Sequence, residues 1–142
     1  MYFHIQPIPR KGGGMSYYFN SKILGNFEDV VQRTTAALKE EGFGVLTDID
    51  VTATLKKKLG VDFKNYRILG ACNPPFAFKA LQAEDKIGTM LPCNVIVQEI
   101  SDGEIEVAAI DPIASMQAIN NPELGEIANE IQGKLKNAIN NI

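Results

Sequence analysis

Tryptophan is absent from this chain of 142 residues, histidine occurs once and cysteine twice. The single histidine, His4, lies in an opening stretch unlike the rest, so residues 15–142 contain no imidazole. Histidine-assisted catalysis by serine or cysteine is thereby all but excluded, and a carboxylate is the base that remains. Two cysteines without C-x-x-C spacing fall short of the four ligands of a tetrahedral zinc site. They are also too few for a disulfide scaffold. No apolar run approaches the roughly 20 residues that span a bilayer, and the N-terminus has no apolar core followed by a small-residue cleavage site. The expectation is a reduced, cytoplasmic chain with free thiols and no membrane partner.

Positive charge is scarce as well. Against 17 Asp and Glu stand 14 Lys and Arg, a formal charge of −3. Setting aside Arg10 and Lys11 lowers the basic count from 14 to 12 and the charge from −3 to −5. Such a chain lacks the cationic surface that a phosphate backbone demands, so no nucleic-acid partner is expected. The run Lys56-Lys57-Lys58 is short and falls at a predicted helix end, where it answers the helix dipole. Nucleotide motifs are missing too. Gly12-Gly13-Gly14 is not followed by the Lys-Ser/Thr of a phosphate loop, and no G-x-G-x-x-G follows a predicted strand. No cofactor is implied.

With 45% hydrophobic and 22% charged residues the composition is that of an ordinary globular protein, and the length suits one domain. Residues 1–14 combine two prolines with three consecutive glycines. They read as a flexible leader or an expression remnant ahead of a second start at Met15. The domain is expected over 15–142. Residues 16–24 read as a strand. Asn26 caps a helix that carries Phe27, Val30, Val31, Thr34 and Leu38 on one face and stops at Gly42. From Phe43 to Asp50 the chain alternates as a strand, with Phe43, Val45, Thr47 and Ile49 facing one way and Leu46, Asp48 and Asp50 the other. A short helix ends at Gly60, and Asn65–Cys72 forms a third strand. Asn73-Pro74 is a helix start, with Phe76, Ala77, Ala80 and Leu81 packing inward. Gly88 and Pro92 bracket a turn. Cys93–Ile100 and Glu104–Ile110 form a hairpin across Asp102-Gly103, which a simple two-residue turn would register with Glu99 opposite Glu106. After Asp111-Pro112 comes a partly helical connection. Asn121-Pro122-Glu123 then opens a long helix with a continuous apolar stripe from Leu124 to Ile139. The order is β-α-β-α-β-α-β-β-α, an α+β fold with helices packed on an antiparallel sheet. One helical layer covers one sheet face; the other, also rather apolar, asks for further helices or a second subunit, and a homodimer is favoured.

The stretch from Tyr66 to Cys93 holds both cysteines, each followed by Asn and close to proline. Cys72 stands just before a helix N-terminus, which can stabilise a thiolate, although the two prolines remove two of the amides that would help. If their strands pair, Cys72 and Cys93 come close enough for a reversible disulfide or a soft metal. The competing reading is that both are small buried apolar groups. Tyr66, Ile68 and Cys72 share a strand face in which Gly70 leaves a gap for a ligand, a neighbouring backbone or a bulge. Asp48 and Asp50, alternate residues of one strand, can hold a cation or share a proton. Alternatively, Asp48 is solvated and Asp50 caps the following helix. No metal site is assigned.

The segments E-E-G-F-G-V-L-T-D-I-D-V at 40–51, Y-R-I-L-G-A-C-N-P at 66–74, L-P-C-N-V at 91–95 and D-P at 111–112 stand in a specific order and spacing. In these the chain resembles the family catalogued as domain of unknown function 302, from about Met15 to the C-terminus. The resemblance implies a compact α+β domain of the TATA-binding-protein-like class that forms dimers, with Asp50, Cys72, Pro74, Pro92, Cys93 and Asp111 at motif positions. It implies no activity. The sequence thus favours a homodimeric module that binds a small ligand or soft metal near Tyr66, Cys72 and Cys93. Asp48 and Asp50 are further candidates. An interaction domain, or a thiol-redox protein using Cys72 and Cys93, is the alternative, and binding is favoured over catalysis.

Overall fold

The computed structural model describes residues 16–142. The leader expected over 1–14, with His4, lies outside the described residues. The strands are β1 (Tyr18–Leu24), β2 (Gly44–Asp50), β3 (Tyr66–Cys72), β4 (Cys93–Ser101) and β5 (Glu104–Ile110); the helices are α1 (Phe27–Glu40), α2 (Val51–Leu59), α3 (Pro74–Ala83), α4 (Pro112–Ser115) and α5 (Pro122–Asn140). A 3-10 turn over Asp85–Met90 overlaps the turn expected between Gly88 and Pro92 and begins three residues earlier. The five strands form one antiparallel sheet in the order β1-β5-β4-β3-β2.

Helix limits follow local chemistry. The Asn26 side chain accepts from the Asp29 amide at 3.1 Å and starts α1. Gly42, at φ 87°, turns the chain out of α1 in the left-handed region that glycine enters without strain. α1 and α5 lie across one face of the sheet. Val30 and Leu38 from α1 and Leu135 and Ile139 from α5 meet Leu69, Val95, Val97, Ile105 and Val107 from the strands, all almost fully buried. A smaller cluster of Ala80, Ile87, Met116, Leu124 and Ala128 joins α3, the 3-10 turn and α4 to the first half of α5.

Two irregularities correct the expected alternation. In β2 the register against β3 shifts between Val45 and Thr47, so Val45 pairs with Ala71 while Asp48 pairs with Leu69. Leu46 is the extra residue. It puts Val45 on the side of Asp48 and Asp50, not on the side of Thr47 and Ile49. In the hairpin a shift between Glu99 and Ser101 places Gln98, not Glu99, opposite Glu106. Without it, Glu104 and Glu106 would point at the helices. With it, Ile105, Val107 and Ala109 point inward. Glu106 instead faces away from the helices, accepting from Asn20 Nδ2 at 2.6 Å and Gln98 Nε2 at 2.7 Å.

Gly70 lies in the middle of this outer face, and neighbours fill the gap it leaves. Thr47 Oγ1 and the Pro92 ring occupy the place of a β-carbon, with Pro92 Cγ 2.8 Å away. Gly70→Ala must therefore displace Thr47 of β2 and the Pro92 ring just before β4. It is expected to destabilise the protein by about 1–3 kcal/mol, read as a lower urea midpoint at unchanged slope.

Candidate functional site

β3 and β4 run side by side, and their ends near α3 frame a region where the packing opens into an apolar space. β3 ends at Cys72. Asn73 leads into α3, whose first two residues are Pro74 and Pro75. The chain returns through a cis Leu91–Pro92 bond and enters β4 at Cys93. α3 presents Phe76, Ala77 and Ala80, and α5 presents Ile127, Ala128 and Ile131 across from them. The small residues Ala77, Ala80 and Ala128 leave the gap between the two helices unfilled. A cavity of about 260 Å³ results, floored by Phe43, Ala71 and Cys93 and closed by Pro112 and Met116. No charged side chain lines it.

Register explains the cysteines. Cys93 pairs with Ala71, not with Cys72. Alternation therefore sends Cys93 toward the helices with Val95 and Val97, and Cys72 to the side of Tyr66, Ile68 and Gly70. Both border the cavity, and both are free thiols. Cys93 is buried; loss of water, reinforced by the neighbouring Cys72, pushes its thiol up to about 11. Cys72 is half-buried.

Tyr66 lies away from the cavity, on the outer sheet face with its ring 6.1 Å from Phe63. Partial burial raises its hydroxyl pKa above the usual tyrosine value, with smaller contributions from Tyr17 and Glu106. Asp48 and Asp50 share a strand side but have separate tasks. Arg67 forks onto Asp48 (Nε–Oδ1 2.8 Å, Nη2–Oδ2 2.7 Å) and reaches Glu28 on α1 with Nη1 at 2.9 Å. The hydrogen bond from Arg67 holds the Asp48 carboxyl below its usual range. Asp50 accepts from the Ala53 amide at 2.9 Å and caps α2. Asp111 caps α4 through the Ile113 amide at 3.0 Å and accepts from Gln132 of α5, also at 3.0 Å. Among the described residues no three His, Cys, Asp or Glu side chains gather as metal ligands.

Of the candidates, then, the fold brings Cys72 and Cys93 to one cavity and leaves Tyr66, Asp48 and Asp50 outside it. The sequence reading missed Phe43, Met116 and Ile127 as cavity walls. It took Asn73 for an ordinary helix cap, whereas its side chain makes no cap bond to α3. Leu81, expected inside, is 45% exposed at the rim. The alanines at 77, 80 and 128 were the available signal, since small residues on facing helices leave room.

A five-stranded antiparallel sheet under one helical layer, with an apolar cavity where β3 passes into α3, defines an α+β sheet-and-helix domain. The chain belongs to the family described as Domain of unknown function DUF302, whose model matches residues 19–142. It is similar to a solved structure, the crystal structure of an uncharacterized conserved protein DUF302 from Bacillus stearothermophilus. That chain is 30% identical, and the likeness covers 88% of this chain and 97% of that one with a TM-score of 0.81. None of the curated proteins compared with the chain matches it. No helix among the described residues is long and apolar enough to cross a membrane.

The burial of Cys93 has a kinetic consequence. At pH 8 a thiol of pKa about 11 is ionised to about one part in 1000, so its reactivity falls roughly two hundred-fold below an ordinary thiol of pKa about 8.5. In a Cys72→Ser variant, Cys93 is expected to be labelled by an aromatic disulfide reagent only as fast as the protein unfolds. Rapid labelling in native buffer would show instead an open, ionised thiol.

Proposed function

We propose that this protein is a binding domain that holds a small apolar molecule in the cavity between α3, α5 and the sheet, and that it works as a homodimer in a reducing compartment. The observation that supports binding is an apolar space of about 260 Å³ lined by no charged side chain. An engineered apolar cavity of about 150 Å³ takes up benzene, so by proportion this one suits a ligand of about ten non-hydrogen atoms. At ~0.5 kcal/mol per atom such a ligand binds with about −5 kcal/mol, a Kd of roughly 0.2 mM. Recognition of a larger molecule would extend past Leu81 at the rim.

A second reading keeps the two cysteines. Both thiols border one cavity, which suits a soft cation such as copper(I). The high pKa of Cys93 works against this, because the metal needs the thiolate. It works against a redox role for the same reason.

The homodimer is supported by the sheet face away from the helices. Tyr66, Ile68 and Ile96 lie there half-buried, and among the described residues none of them packs into the core under the helices. Sedimentation is expected to show a dimer that Ile68→Asp or Ile96→Asp halves in mass without loss of helical signal. A wild-type monomer would remove this part of the proposal.

Binding is tested by titrating toluene and following backbone NMR shifts. Shifts concentrated at Ala77, Ala80, Ala128 and Ile131 are expected. Ala80→Leu, which fills the cavity, should abolish them while changing stability by no more than about 1 kcal/mol. No shifts at concentrations well above the expected Kd would end the ligand reading.

A further inference from the structure

The cavity has a buried floor and an exposed rim. Phe43, Ala71, Ala80 and Ala128 line it and are almost fully buried. Two other lining residues, Leu46 and Leu81, are 70% and 45% exposed. Every remaining one is buried or half-buried. Leu46 belongs to β2 and Leu81 to α3, so the space reaches the surface where a strand and a helix share its wall. Leu46 is also the extra residue of the β2 bulge. Bulges re-aim side chains, and this one sets a leucine at the mouth of a cavity.

The lining offers little to a polar head group. No charged side chain borders the space. Asn73, its one amide side chain, donates to the Glu41 carbonyl at 3.2 Å and lies against Gly42. An ion brought inside would lose its hydration without a counter-charge. A polar group on the ligand therefore stays in water, which the exposed rim permits. The two leucines make the same demand from the protein side. A compact molecule on the floor leaves both in water. A chain that runs from floor to rim covers them as it leaves, and the gain grows with the apolar area removed from water. A polymethylene chain is the slimmest apolar body that does both, which favours it over branched or ringed ones.

Resting on the apolar-ligand reading above, we infer that the ligand is an amphiphile with an unbranched alkyl chain. The methyl end of the chain lies on the buried floor, the chain leaves past Leu46 and Leu81, and the head group remains in water. The cavity is then the inner half of a longer site. Its volume of about 260 Å³ sets the number of enclosed carbons at about ten, not the length of the ligand. Selectivity lies in the chain, and the charge of the head matters little.

The test is a homologous series on the full chain at neutral pH: 1-hexanol, 1-octanol, 1-decanol and 1-dodecanol, with toluene as the compact reference. Each is titrated and followed by backbone NMR shifts at Ala77, Ala80 and Ala128. Affinity is expected to rise about three-fold per methylene through to dodecanol. Dodecanoate and dodecyltrimethylammonium, kept below micelle formation, are expected to bind within about three-fold of dodecanol, because their charges stay in water. Leu46→Asn combined with Leu81→Asn is expected to weaken dodecanol about ten-fold and to flatten the series beyond decanol. If that variant does not fold, the wild-type series decides alone. Affinity that peaks at octanol or decanol and falls for dodecanol would show a closed, compact site. A charged head that abolishes binding would place the head inside. Either result, or an unchanged series in the folded variant, would overturn the chain assignment and leave the apolar-ligand reading standing. Failure of every compound, toluene included, would remove both.

Discussion

Side chains on a strand alternate, so one residue too many or too few turns a core inside out. That constraint governs this sheet. Ile105, Val107 and Ala109 meet the helices only because an extra residue near Ile100 offsets β4 against β5. Val45 lies over Ala71 only because Leu46 is looped out of β2. The core residues under α1 and α5 fall into place once these offsets are made. The same offset relocates charge. Glu106 ends in a ladder with Asn20 and Gln98 on the outer face, where both its oxygens are bonded.

The edge at β2 shows how a charged cluster supports the packing. Arg67 looks in sequence like a surface cation. Its side chain is in fact only 18% exposed, and it joins Asp48 on the edge strand to Glu28 in the first turn of α1. The carboxylates are more open to water than the guanidinium, so the cluster is worth little as a surface ion pair. Its importance is positional, because it ties the start of a helix to the outermost strand. The bulge and the two aspartates also make β2 a poor template for pairing with another chain.

Much of the fold was legible because it is written in local chemistry. Asn26, Asp50, Gly60 and Asp102-Gly103 each act within a few residues of themselves, and their helices and turn stand where those residues predict. The bulges were not legible, since each depends on the partner strand. Nor was the fate of the space over Gly70, which Thr47 and Pro92 fill from positions 23 residues before and 22 after it. The cavity was legible only in part. Both cysteines border the cavity, as their neighbouring strand ends suggested. Tyr66 does not, because alternation and the sheet itself separate it from the helices. The cavity is the sum of small residues from three stretches far apart in the chain, and no periodicity within one helix shows it. Asn73 gave the expected helix start but not the expected cap bond, its side chain donating instead to the Glu41 carbonyl.

The strand order carries a consequence for synthesis. Among the described residues β1 is the first strand made and pairs only with β5, the last. Until residues 93–110 exist, β1 has no neighbour and β3 has only β2 beside it. The long helix that closes the core over them comes later still. A chain emerging from the ribosome therefore carries its first apolar strands uncovered until residues 93–110 have been translated, and only then can the sheet assemble.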